Sequence, residues 1–303
     1  MSTTNIRAKK QSVSELKVFN ELIKLMKPRV MSLVIFTCAV GLLSSPTVLS
    51  IKDAMIGILF VAMGAGAAGT LNMWYEADLD KLMSRTCLRP IPRGKVNKDQ
   101  ALIFGLLLSI ISVVSLYYFS NFLSAFLLFF TIFFYVIIYT IWLKRKTSQN
   151  IVIGGASGAL PPVIGWTIAT NSLSMEPITL FLIIFIWTPS HFWALSLYKA
   201  DDYKRAKIPM LPITDGIQNT KKNILIYSLL MIPTILLPYY IGFAGLVFLI
   251  PSLVLTLYYN YICLNLYYFK KNKFDPKIAK HIFSYSIIYL FLIFVFILID
   301  KLF

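Results

Sequence analysis

The chain has 303 residues, of which 58% are hydrophobic, with a mean hydropathy of +0.74 and a formal net charge of +16 carried by only 14% charged residues. A soluble globular chain is about 45–50% apolar. Here the excess comes in long blocks and the positive charge is confined to the gaps between them, which excludes a nucleic-acid-binding surface and points to a membrane protein with a charge-set topology.

Residues 1–28 are polar and of mixed charge. They lack the apolar core and small-residue cleavage site of a signal peptide, and they are not an Arg/Ser-rich transit peptide. They read as a cytoplasmic N-terminal segment ahead of a single transmembrane domain, 29–303, in a bacterial inner membrane. A spanning helix needs about 20 mostly apolar residues. Blocks of that kind run over 29–49, 54–75, 101–119, 122–143, 150–170, 177–197, 223–242, 244–265 and 281–299, so the predicted fold is an all-α polytopic bundle of about nine spans. Gly154, Gly155, Ala156 and Gly158 read as small-residue helix packing. Alternate gaps hold 27 of the 29 Lys and Arg, and the other gaps hold only Lys52 and Lys301. That split places the N-terminus in the cytoplasm and, with an odd number of spans, the C-terminus in the periplasm. Cys38, Cys87 and Cys263 match no metal or redox spacing, and an odd count argues against a disulfide framework.

The second span ends in Asn72-Met73-Trp74-Tyr75-Glu76-Ala77-Asp78-Leu79-Asp80, followed by a loop holding Arg85, Thr86, Arg89 and Pro90. Asn72, Glu76 and Asp80 are four residues apart, so a continuing helix lines their oxygens up in one shallow stripe, with Asp78 off it. Carboxylates at the end of a span are costly unless they face a wet cavity or bind something. Oxygen ligands suit Mg²⁺, which one or two carboxylates hold together with substrate phosphates. Arg85, Arg89 and Thr86 are groups that grip a diphosphate. The sixth span carries His191-Phe192-Trp193 and ends in Lys199, Asp201, Asp202 and Lys204, ahead of Ile208-Pro209-Met210-Leu211-Pro212. Of its two acids, Asp202 is the one expected to join a second metal or phosphate position.

Those two segments resemble the motifs of the UbiA-type intramembrane prenyltransferases, and in detail the haem-farnesylating branch of that family. Met73 stands where other branches place an acid, which leaves fewer carboxylates in the first motif. The resemblance implies farnesyl diphosphate as donor, haem b as acceptor, Mg²⁺ as cofactor and the lipid bilayer as surroundings, with haem A synthase as a partner. It also implies metal-holding and catalytic roles for Asn72, Glu76, Asp80 and Asp202. Substrate contacts are expected from Arg85, Thr86, Arg89, Lys199, Lys204, His191, Trp74, Phe192 and Trp193. Two other readings stay open: transfer to an aromatic quinone precursor (4-hydroxybenzoate or a naphthoate), and a transporter. The acids sit at one face beside phosphate-type bases rather than at mid-membrane, which disfavours the transporter.

Overall fold

The computed structural model describes residues 18–268 and 275–303. Most of the expected N-terminal segment, and Lys270, Lys271 and Lys273 of the last basic gap, lie outside the described residues. The described chain is all helix and turn. Helix α1 (Val18–Leu25) meets α2 (Pro28–Leu43) at a 52° bend. Lys27 makes the elbow, with a left-handed backbone (φ 55°), and Pro28 restarts the helix. The first span therefore departs from the expected 29–49. It ends at Leu43, ahead of Ser44-Ser45-Pro46, and reaches membrane-crossing length only as a bent pair with α1.

Ser50 caps α3 (Ile51–Tyr75) by accepting from the Asp53 amide, and a short α4 (Ala77–Leu82) follows. Asn97 and Gln100 form a reciprocal capping box that starts α5 (Lys98–Phe119). Helix α6 (Phe122–Phe133) widens into a π-helical stretch, Phe134–Leu143. Helices α7 (Asn150–Ala159) and α8 (Pro161–Thr170) make one span that pivots at Leu160, before the Pro161-Pro162 pair. The sixth span is α9 (Met175–Tyr198), followed by the short α10 (Ala200–Arg205) and α11 (Leu211–Thr214). Three long helices complete the chain: α12 (Gly216–Tyr240), α13 (Leu246–Tyr268) and α14 (Pro276–Asp300). Among the described residues eight spans are long and apolar enough to cross a membrane unaided, and the bent α1–α2 pair, taken as one span, makes a ninth.

The helices pack as two neighbourhoods. One core gathers α2, α3, α5, α6 and α8, and the other gathers α9, α12, α13 and α14. Outward faces are greasy rather than polar. Ile103, Leu107, Ile110, Phe126 and Phe129 are all exposed, as a lipid-facing surface requires. Close backbone contact joins α2 to α8: a Cβ on Gly41 would strike the Pro162 carbonyl, and one on Gly165 would strike that of Cys38. Only glycine fits at either position. Gly154 seats the Tyr139 ring and Gly155 seats Thr188, as small-residue packing predicts, whereas Gly158 faces open space. At the end far from the motif loops, the Asp300 carboxylate accepts from the Gly245 amide (2.7 Å) and the Phe248 amide (3.0 Å), so the last helix caps the start of α13.

Candidate active site

The helix breaks at Glu76 between α3 and α4, yet its hydrogen-bond ladder carries across the break. The Glu76 amide donates to the Asn72 carbonyl (2.9 Å) and the Asp80 amide to that of Glu76 (2.8 Å). The four-residue spacing therefore survives as the expected stripe. Asn72, Glu76 and Asp80 are buried, and Asp78 is exposed.

Each acid of the stripe meets a base from another part of the chain. Arg89 Nη1 donates to both Asp80 oxygens at 2.8 Å. Lys144 pairs with Glu76, whose Oε1 accepts no well-oriented hydrogen bond. Arg145 forks across Asp78 at 2.9 and 3.0 Å and lies over the Tyr75 ring. Lys27 Nζ donates to Asn72 Oδ1 at 2.6 Å, and Asn72 Nδ2 donates to Thr140 Oγ1 at 3.1 Å. Thr140, Lys144 and Arg145 are set by the π-helical stretch. There Thr140 Oγ1 donates to the Tyr135 carbonyl and the Lys144 amide to that of Tyr139, each five residues back. Such wide turns are frequent at functional sites. Burial pushes the Asp78 carboxyl up, but the bond and charge of Arg145 together with backbone hydrogen bonds, chiefly from Leu79, outweigh it and leave it below the ordinary carboxylate value.

The second loop folds onto the first. Leu79 and Met83 share a small core with Tyr203, Ala206, Ile208 and Met210. Ser84 Oγ donates to Asp202 Oδ2 at 2.6 Å, and Arg205 pairs with the other oxygen. Of the two adjacent acids, Asp202 is buried against the first loop and Asp201 is exposed. Burial raises the Asp202 carboxyl, and the hydrogen bonds from Ser84 and Arg205 outweigh it, so it too sits below its ordinary value.

The sequence profile of the UbiA prenyltransferase family matches residues 33–297. A protein of Pelagibacter ubique named protoheme IX farnesyltransferase is 73% identical over 98% of this chain and 99% of its own length. One of the same name from Parvibaculum lavamentivorans is 48% identical over 92% and 87%. The chain belongs to the UbiA prenyltransferase family. Solved structures agree on the fold. A digeranylgeranylglyceryl phosphate synthase superposes with a TM-score of 0.77 at 18% identity, covering 94% of this chain and 98% of that one. A UbiA homologue from Archaeoglobus fulgidus, bound to DMAPP and Mg²⁺, superposes with a TM-score of 0.69 at 16% identity over 91% and 99%. As a UbiA-family prenyltransferase the chain is a membrane enzyme, and the transporter reading falls away.

Several expected contacts of this prenyltransferase take other places in the structure. Among the described residues no three acidic, histidine or cysteine groups stand close enough to hold a metal by themselves. The four expected ligands therefore do not form a ready-made cage. The donor set still fits Mg²⁺ shared with phosphate. The oxygens are hard, and those of Asn72, Glu76 and Asp80 all face a cation already, the place a divalent ion takes. Thr86 is buried and its hydroxyl donates to the Asp80 carbonyl (3.1 Å), which braces the loop. Arg85 and Lys204 are exposed, and Arg205, not Lys204, pairs with Asp202. Lys199 lies 6.0 Å from the Tyr198 ring centroid.

His191 sits inside the bundle, stacked between Trp187 (4.2 Å between centroids) and Phe283 (4.6 Å), with Nδ1 bonded to Ser286 Oγ at 2.6 Å. It joins α9 to α14, the packing role open to any lone buried histidine. Trp193 is buried edge-on to Tyr227, with no partner for its Nε1. Phe192 is partly exposed, and Trp74 packs with Leu22 against the small core of the α1 and first-loop region. The residues that sequence reasoning missed are Lys27, Thr140, Lys144, Arg145, Ser84 and Arg205.

Proposed function

We propose that the chain transfers the farnesyl group of farnesyl diphosphate to a vinyl group of haem b, with addition of water, releasing haem O and diphosphate. What carries this reading is the ordered set at the end of α3, in which Asn72, Glu76 and Asp80 stand on one face and bases from three other segments surround them. The names carried by relatives up to 73% identical choose haem over a quinone precursor as acceptor.

Asn72, Glu76 and Asp80, with Asp202 from the facing loop, would hold Mg²⁺ against the diphosphate, where the ion supplies positive charge for the leaving group. The chain's own bases do the rest. Arg89, Lys144 and Lys27 lie at the stripe, and Arg85, Lys199 and Lys204 lie on the loops beside it, so negative charge growing on the diphosphate meets preorganised cations. As the farnesyl C1–O bond breaks, its electron pair leaves with the diphosphate and an allylic cation remains. A haem vinyl carbon attacks that cation, and water then captures the new carbocation and loses a proton. No side chain needs to form a covalent intermediate. Aromatic walls, for which Trp74, Phe192 and Trp193 are the proposed residues, exclude early water and face the cation with their rings. On this proposal the protein lies in the inner membrane with its motif loops and N-terminus cytoplasmic and its C-terminus periplasmic, and haem A synthase is the partner this reading implies.

The test uses membranes holding the full chain, labelled farnesyl diphosphate, and either haem b or 4-hydroxybenzoate. Mass spectrometry is expected to find the hydroxyethylfarnesyl porphyrin and no prenylated benzoate. Glu76→Gln should cut turnover by about 10²-fold or more, the scale of losing one preorganised charge-stabilising group. Prenylated benzoate as the sole product, or full activity in Glu76→Gln, overturns the assignment.

A further inference from the structure

In the stripe, each residue expected to meet a metal already holds a basic side chain. Lys27 Nζ is on Asn72 Oδ1 at 2.6 Å, Lys144 is on Glu76, and Arg89 spans both Asp80 oxygens. These three bases come from the α1–α2 elbow, the end of the π-helical stretch and the first loop, so local sequence pairing does not force them there. Two of the placements are built at some cost. Lys27 adopts a left-handed backbone that a non-glycine residue seldom takes, and Lys144 arrives through a π-helical segment. The Lys27 elbow also lies on a glycine face of α3. A Cβ on Gly66 would strike Met26, and one on Gly69 would lie 3.6 Å from both the Met26 carbonyl and the Lys27 side chain.

We propose that Lys27 and Lys144 are exchangeable stand-ins for the metal. Before a divalent cation binds, Lys144 neutralises Glu76 and Lys27 donates to the Asn72 amide oxygen. When a divalent cation takes those oxygens, their ammonium groups are released to the incoming diphosphate. The proposal rests on the prenyl-diphosphate reading and adds a rule for how its two ligands bind. A divalent ion alone must displace the lysines, and a diphosphate alone must draw them away from oxygens that then lack a counter-charge. Together, each ligand removes the other's obstacle. The coupling is mutual, as linkage requires.

A purely structural role and an exchange role predict opposite signs, which makes the test decisive. The full chain, solubilised in detergent, is titrated with Mn²⁺ in the absence of diphosphate by electron paramagnetic resonance. Separately it is titrated with farnesyl thiolodiphosphate in EDTA by calorimetry. Relative to the unchanged chain, Lys144→Met is expected to bind Mn²⁺ about tenfold more tightly and the diphosphate analogue about tenfold more weakly, a shift of about 1.4 kcal/mol in each. Lys27→Met should move both affinities in the same two directions, and Lys144→Arg should return both toward the starting values. Should Lys144→Met fail to give a monodisperse protein, Lys27→Met decides alone. Any outcome in which the two affinities do not move in opposite directions overturns the exchange. If the unchanged chain binds no thiolodiphosphate even with Mn²⁺ present, the prenyl-diphosphate reading itself fails instead.

Discussion

The two motif loops carry similar residues but hold their charges differently. In the first, Glu76, Asp78 and Asp80 are neutralised by Lys144, Arg145 and Arg89, and two of those partners come from the distant end of the fourth span. In the second, Asp202 is served by Arg205 three residues on and by Ser84 of the first loop, while Asp201 is left to solvent. Charge register in the first loop depends on the whole fold being assembled. In the second it depends on one turn of helix and one hydrogen bond.

That contrast breaks most sharply at Arg89. Arg89→Met strands the buried Asp80 carboxylate and is expected to cost about 3 kcal/mol, the scale of breaking a buried pair from one side. Unfolding followed in mild detergent would measure it, and a loss below about 1 kcal/mol would make the two loops alike. Asp202→Asn keeps an acceptor for Ser84 and loses the charge facing Arg205, so about 1 kcal/mol is expected on the same assay. Asp201→Asn should change stability by less than about 0.5 kcal/mol, as for an exposed site.

Acid offers a finer version of the same comparison. The Asp202 carboxyl is held below its ordinary value by Ser84 and Arg205, so the folded state favours its ionised form. Its contribution is complete above the ordinary Asp value of about 3.9. It drains away as pH falls through the lower folded-state value. Hydrogen exchange at residues 83–87 and 200–206 should therefore quicken together in that acid window, and Asp202→Asn should remove the pH dependence from both segments. A further prediction concerns the bundle interior. His191→Phe should retain the stack with Trp187 and Phe283 and lose the Ser286 bond, at about 1 kcal/mol. Turnover should stay within a few fold, and a collapse of haem-dependent activity at unchanged stability would show that His191 touches the acceptor.

Much of the bundle was legible because bilayer thickness turns hydropathy into helix length. Eight of the nine blocks became spans, with ends within a few residues except at Gly216, where α12 starts seven residues before the expected 223. The first span was read too long because the apolar pair Val48-Leu49 was counted into it, although Ser44-Ser45-Pro46 ends the helix. The stripe was legible for a similar reason: four-residue spacing is a property of helices and outlives a small kink. Its counter-ions were not legible. A rule that assigns Lys and Arg to topology accounts equally well for Lys27, Lys144 and Arg145, and nothing local separates a base that faces lipid headgroups from one that turns inward. The only signals were Lys27 standing directly before Pro28, and the paired bases Lys144 and Arg145 closing an aromatic run. Their partners lie 45 and about 67 residues away along the chain, and only the packed fold brings them together.

The wide turns from Phe134 to Leu143 also constrain how this gene can change. Each residue removed from an ordinary helix swings everything after it by about 100°. The widened segment already carries surplus length, and that surplus aims Lys144 at Glu76 and Arg145 at Asp78. Replacing a side chain there alters a surface, whereas losing a single codon would re-aim both bases at once. The stretch should accordingly tolerate swaps among greasy residues and resist any change in its length.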